Sequence, residues 1–115
     1  MTDDFDLTVE HARDGDRTVV RVAGDVDLTT APGLRAGVID LIEAGHRDVV
    51  MDMSKVRFCD STGLSALIGI WHHARQAGGA LGLAVVPGRL QRMLSMTGLD
   101  TVLPTYPADA AGSRG

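Results

Sequence analysis

In the stretch FCDSTGLSALIGIW, Phe58 to Trp71, an acid and two hydroxyls (Asp60, Ser61 and Thr62) stand against the start of an apolar run. Three kinds of chemistry suit such a group. A serine attacks as a nucleophile when a base lies within hydrogen-bond reach. A serine at a helix N-terminus accepts a phosphoryl group where free N–H groups and the helix dipole favour the added charge. Any of the three side chains caps a helix by accepting its orphan backbone N–H groups. Residue type alone favours the cap.

The nucleophile lacks a base. His72 and His73 fall on the same run as Ser61, ~16 Å further along a helix axis at about 1.5 Å per residue, out of its reach. His11 and His46 lie near chain turns at no spacing that makes a triad, and no Gly-x-Ser-x-Gly elbow occurs. The chain is therefore not expected to be an enzyme. Nor is a metal expected, because adjacent histidines on a helix point roughly 100° apart and cannot face one ion as an i, i+4 pair would. Glycine is abundant, at 14 residues, yet no P-loop or Gly-x-Gly-x-x-Gly follows a strand, so no cofactor is expected. Met51, Met53, Met93 and Met96 fall at strand and helix positions that read as core.

The elements that must position the Asp60–Thr62 group follow from periodicity. FDLTVEHA and RTVVRVAG are β-prone runs joined through the Asp-Gly of RDGD, which reads as a hairpin. GDVD then leaves the second strand as an acidic loop. A helix follows over LTTAPGLRAGVIDLIEAG, with Thr30 as cap, Pro32 in the first turn, Leu34, Val38, Leu41 and Ile42 on its apolar face, and Gly45 at its end. HRDVVMDMS is an interior strand, and KVRFCDS links it to the quoted helix, whose stripe reads Leu64, Leu67, Ile68 and Trp71. AGGALGLAVVP gives a turn and a fourth strand. GRLQRMLSMTG gives a short helix that ends at Gly98, and LDTVLPTY a last strand or extended segment.

The order β-β-α-β-α-β-α-β is an α/β class: a mixed sheet of four to five strands with packed helices, a hairpin first and parallel neighbours after it. Function gathers outside the carboxyl ends of strands in such sheets. Asp25 and Asp27 leave one strand there and Asp60 to Gly63 follow another, so the two loops should share an edge. The expected domain spans residues 1–104, and the small polar remainder, 105–115, is expected to be a mobile tail.

Composition narrows the partners. At 115 residues, 44% hydrophobic and 23% charged, the chain has the balance of one small globular domain. Its four aromatic residues and net charge of −4 argue against nucleic acid, which asks for stacking rings and clustered cations. Acids crowd the first quarter, so a partner with a basic surface would be steered there. A single cysteine, Cys59, excludes an internal disulfide and suits a reducing compartment. With no signal-peptide pattern and no apolar run near the ~20 residues of a membrane span, the expectation is a cytoplasmic protein without membrane insertion.

DSTGL after an apolar strand, GDVD closing an earlier one and MLSMTGL before the last segment together resemble the anti-sigma factor antagonists, the single-domain STAS family. The resemblance runs from about Leu7 to Pro104 with each motif in its expected order. It implies a bacterial regulator of transcription that is not an enzyme. Such a regulator binds a GHKL-type serine kinase, which is usually also the anti-sigma factor, and thereby frees the sigma factor. The kinase uses ATP to phosphorylate the serine directly after the motif aspartate, and a serine phosphatase reverses it. Carried to this chain, the resemblance makes Ser61 the phosphoacceptor, with Asp60, Thr62 and Gly63 forming its loop. Asp25 and Asp27 then belong to the partner-contacting loop beside it, and the Thr62 hydroxyl is the competing acceptor. Two other classes share the pattern: a STAS accessory subunit of a phospholipid-transport ABC complex, and a small-molecule or nucleotide-sensing STAS module.

Overall fold

Valines dominate the central strands, Val19, Val20, Val22 and Val26 in one and Val49, Val50 and Val56 in the next, while Gly15 follows the first strand and Gly79 precedes the fourth. A computed structural model describes residues 7–106. The acids Asp3, Asp4 and Asp6, the start of the first β-prone run and the expected tail over 107–115 lie outside the described residues. Strands β1 (Leu7–Asp14) and β2 (Arg17–Val26) form the expected antiparallel hairpin, turning at Gly15 with a φ of +67° that suits glycine. Helix α1 (Ala31–Glu43) leads to β3 (Asp48–Cys59), α2 (Ser61–Gln76) to β4 (Ala80–Ala84), and α3 (Gly88–Thr97) through a 3₁₀ turn (Leu99–Thr101) to β5 (Thr105–Tyr106). The sheet runs β1-β2-β3-β4-β5 in order, and every pair after the hairpin is parallel. The expected mixed α/β architecture is the one observed.

One sheet face carries the main core. Val20 and Val22 of β2, Met51 and Met53 of β3, and Leu81 and Leu83 of β4 pack with Leu34, Val38 and Ile42 of α1, Leu67 and Ile70 of α2, and Leu90 and Leu94 of α3. Side chains of β3 alternate across the sheet, so Val50 lies on the other face with Ala84 and Val85. Thr18 is buried, and its hydroxyl meets His46 Nδ1 at 2.7 Å, which makes His46 a structural residue.

Several expectations are corrected. Lys55–Cys59 is not a linker but the second half of a 12-residue β3. Its pairing with β2 shifts register between Arg21 and Ala23 and again between Gly24 and Asp25, each time with one more residue on β3. Such bulges break the alternation that marks a strand in sequence. The acidic segment after Ala23 is likewise not a loop until Asp27, because β2 continues to Val26. On α2 the buried positions are Gly63, Leu64, Ala66, Leu67, Ile70 and Ala74, while Ile68 and Trp71 stand at the rim. Met96 is 85% exposed and not core, and His11 lies within β1, three residues before the hairpin turn. Of the expected last strand LDTVLPTY, Leu99–Thr101 form the 3₁₀ turn and only Thr105–Tyr106, which fall inside the 105–115 range given to the tail, pair with β4 as β5.

Candidate functional site

Val26 and Cys59 are register partners at the carboxyl ends of β2 and β3, and the Asp60 N–H donates to the Val26 carbonyl at 3.3 Å. The segments carrying Asp25, Asp27 and Asp60–Gly63 therefore meet at one sheet edge, as the topology predicts. Gly63 allows the close approach. A Cβ there would lie 2.7 Å from Cys59 Sγ, 2.8 Å from Val26 Cγ1 and 2.9 Å from the Val26 carbonyl. Any side chain at Gly63 would push α2 off the strand ends.

Asp60 is the N-cap of α2. Its Oδ1 accepts from the N–H groups of Thr62 at 3.0 Å and Gly63 at 3.1 Å, from an extended backbone with φ −100° and ψ −168°. The Leu64 N–H already donates to the Asp60 carbonyl. Ser61, the first residue of the helix, is exposed, and its hydroxyl bonds to no other described residue. Two physical consequences follow. Ser61 is not the cap, and a phosphate on it would find two of the first-turn donors already taken. What remains favourable to added charge is the helix N-terminus itself, worth ~0.3–1 kcal/mol at an exposed site.

Asp27 makes the matching arrangement at α1. Its Oδ1 accepts from Thr29 N–H at 3.0 Å and Thr30 N–H at 3.1 Å. Thr30 holds the N-cap position but does not cap by its side chain; its hydroxyl donates to the Asp25 carbonyl at 2.7 Å and accepts from Asp27 N–H at 3.0 Å. Asp25 is not free of cations, because Arg57 Nε lies 3.3 Å from its Oδ1. Bulging places Arg57 there, and its partner is legible only once the strand register is known.

Cys59 sits under this edge, and burial, with a smaller push from Asp60, raises its thiol to about 11. It stays protonated at neutral pH and is no nucleophile. Beside Thr62 and Ser65, an open groove of about 590 Å³ runs between α2 and α1, with Pro32, Arg35 and Ile39 on its α1 side. His73 pairs with Glu43 and His72 packs against Trp71, both toward the far end of α2 from Ser61. Neither residue joins the site.

The model of the STAS domain family matches residues 8–111. The chain belongs to the STAS domain family. The curated relatives that it matches are regulators, anti-sigma factor antagonists. The anti-sigma-B factor antagonist of Bacillus subtilis (strain 168) is 34% identical over 84 residues, 73% of this chain and 76% of that one. The anti-sigma-B factor antagonist of Staphylococcus epidermidis is 29% identical over 99 residues, covering 86% and 92%. Among solved structures, an anti-sigma factor antagonist from Mycobacterium paratuberculosis aligns with a TM-score of 0.81 at 28% identity, over 91% of this chain and 90% of that one. No helix among the described residues is long and apolar enough to cross a membrane.

Proposed function

We propose that this protein is an anti-sigma factor antagonist switched at Ser61. Unphosphorylated, it binds an anti-sigma factor that is also a GHKL-type serine kinase, and so releases a sigma factor in the cytoplasm. Phosphorylation of Ser61 ends the binding, and a serine phosphatase restores it. The observation that carries this reading is the division of labour at the start of α2: Asp60 does the capping, and the exposed Ser61 hydroxyl beside it has no structural partner among the described residues. Support for the kind of partner comes from the anti-sigma-B factor antagonists that the chain resembles.

The switch works by charge across an interface. A phosphoserine brings about −1.5 to −2 charges. Two like unit charges ~5 Å apart at an effective dielectric of ~20 repel by about 3 kcal/mol. Thr62 is half-buried against the groove while Ser61 is exposed, which favours Ser61 as the acceptor. Incubation with ATP and the purified anti-sigma kinases of the same genome, followed by peptide mapping, tests the assignment. The expected phosphate is on Ser61, with labelling abolished in Ser61→Ala; phosphate on Thr62 with Ser61 unmodified contradicts it.

Asp27 supplies charge toward a cationic patch on the kinase, and Asp25 less, because Arg57 already offsets it. Asp27→Asn keeps an oxygen to accept from Thr29 and Thr30 but removes the charge. Titration over a salt series should show weaker association with a flatter salt dependence, and stability within ~0.5 kcal/mol of wild type. Unchanged affinity at low salt removes Asp27 from the interface.

A further inference from the structure

Six large apolar residues are exposed among the described ones: Val9, Leu28, Phe58, Met96, Val102 and Tyr106. Scattered singly, such residues need no explanation. Leu28 and Phe58 are not scattered. Val26 and Cys59 are register partners; Leu28 stands two residues beyond Val26, and Phe58 one residue before Cys59 and in register with Asp25. The two therefore flank the strand ends from which Asp27, Asp60 and Ser61 project.

We propose that Leu28 and Phe58 are apolar anchors that seat this acidic edge on a protein partner with apolar pockets inside a basic rim; the partner is the kinase of the preceding section, on whose reading this inference rests. Charge complementarity sets the rim, because Asp27 directly precedes Leu28 and Asp60 follows Phe58 by two residues, while Asp25, in register with Phe58, is offset by Arg57. Rigidity favours the anchors. Leu28, 73% exposed, sits inside the turn closed by Asp27 Oδ1 on Thr29 and Thr30, and Phe58 is held on a paired strand. A backbone held this way has little freedom left to lose on binding. Phe58, 45% exposed, is also one of few rings in the chain, and buried aromatic anchors carry a disproportionate share of interface energy.

The anchors give the switch its sharpness. Contacts made only by rim charges would leave Ser61 wet, and water would screen a phosphate there. With apolar contacts made at Phe58, three residues before Ser61, and at Leu28 on the neighbouring strand exit, water is driven from this edge, and a dianion added there loses hydration and faces the partner with less screening.

The test uses the full chain and each purified GHKL-type anti-sigma kinase of the same genome, with Kd measured over a salt series. For the kinase that labels wild-type Ser61, Leu28→Ala and Phe58→Ala should each weaken binding at least tenfold, with an unchanged salt slope. Met96→Ala, at an exposed apolar site on α3, should stay within twofold. Either anchor variant within twofold of wild type, or a loss no larger than that of Met96→Ala, overturns the inference and leaves the kinase reading standing. If Phe58→Ala melts early, Leu28→Ala alone decides, since its side chain is mostly in solvent. A panel in which no kinase binds or labels the wild-type chain overturns both.

Discussion

The starts of α1 and α2 lie at the same sheet edge, and each is held by an aspartate at a strand exit, yet their hydroxyls are used in opposite ways. At α1, Asp27 accepts from two backbone N–H groups, and Thr30 is tied into the same turn by its bonds to the Asp25 carbonyl and the Asp27 N–H. At α2, Asp60 likewise accepts from two N–H groups, but Ser61 is bound to no described residue and faces solvent. A hydroxyl consumed by its own turn is structural. One left over after an acid has done the capping holds no part of the turn together, so changing it is expected to leave the fold alone.

The comparison can be broken most forcefully at the contact the two starts share. Gly63→Ala forces a Cβ to within 3 Å of Cys59 Sγ, Val26 Cγ1 and the Val26 carbonyl. It should cost about 3 kcal/mol, the upper end for overpacking, in denaturant unfolding. A loss below ~1 kcal/mol would mean that α2 is not pressed on the strand ends. Next comes Thr30→Val, which removes the hydroxyl's bonds to the Asp25 carbonyl, the Asp27 N–H and Asp27 Oδ1 and leaves the Asp25 carbonyl short of a donor. The expected loss is about 1–2 kcal/mol. Asp60→Ala should cost ~1 kcal/mol as an ordinary lost cap, read from the same unfolding curves. Ser61→Ala completes the series, with an expected change within ~0.5 kcal/mol. Should Ser61→Ala destabilise as much as Thr30→Val, the two hydroxyls play the same role and the contrast fails.

Much of this frame was legible in the residues. The Asp-Gly turn, the helix-ending Gly45 and Gly98, and the apolar repeat of α1 each act locally, so a sequence displays them. The shared edge was legible too, because right-handed crossovers leave few ways to place the strand exits. What was hidden depends on contacts distant in sequence. Two bulges disguise Lys55–Cys59 as a loop and bring Arg57 to Asp25. The α2 stripe reads Leu64, Leu67, Ile68 and Trp71; the helix buries the first two but turns Ile70 and Ala74 inward in place of Ile68 and Trp71, a choice made by packing against the sheet. Which neighbouring polar residue caps each helix depends on backbone angles: Asp60 is extended and caps, while Thr30 has helical angles and cannot. Ser61 was recognisable as a candidate from DSTGL, but its freedom from structural duty was visible only in the hydrogen bonds.

The central claim is that charge at Ser61 acts on a partner and not on this domain. Trp71 is a suitable witness, since it packs at the rim of the core on the same helix, with the Arg75 guanidinium 5.1 Å from its ring centre. The decisive measurement compares phosphorylated and unphosphorylated protein for kinase affinity, Trp71 emission and thermal melting on one preparation. Affinity should fall at least tenfold, ~1.4 kcal/mol, while emission and melting stay nearly identical. Equal affinity of the two forms, or a large shift in Trp71 emission on phosphorylation, would contradict it.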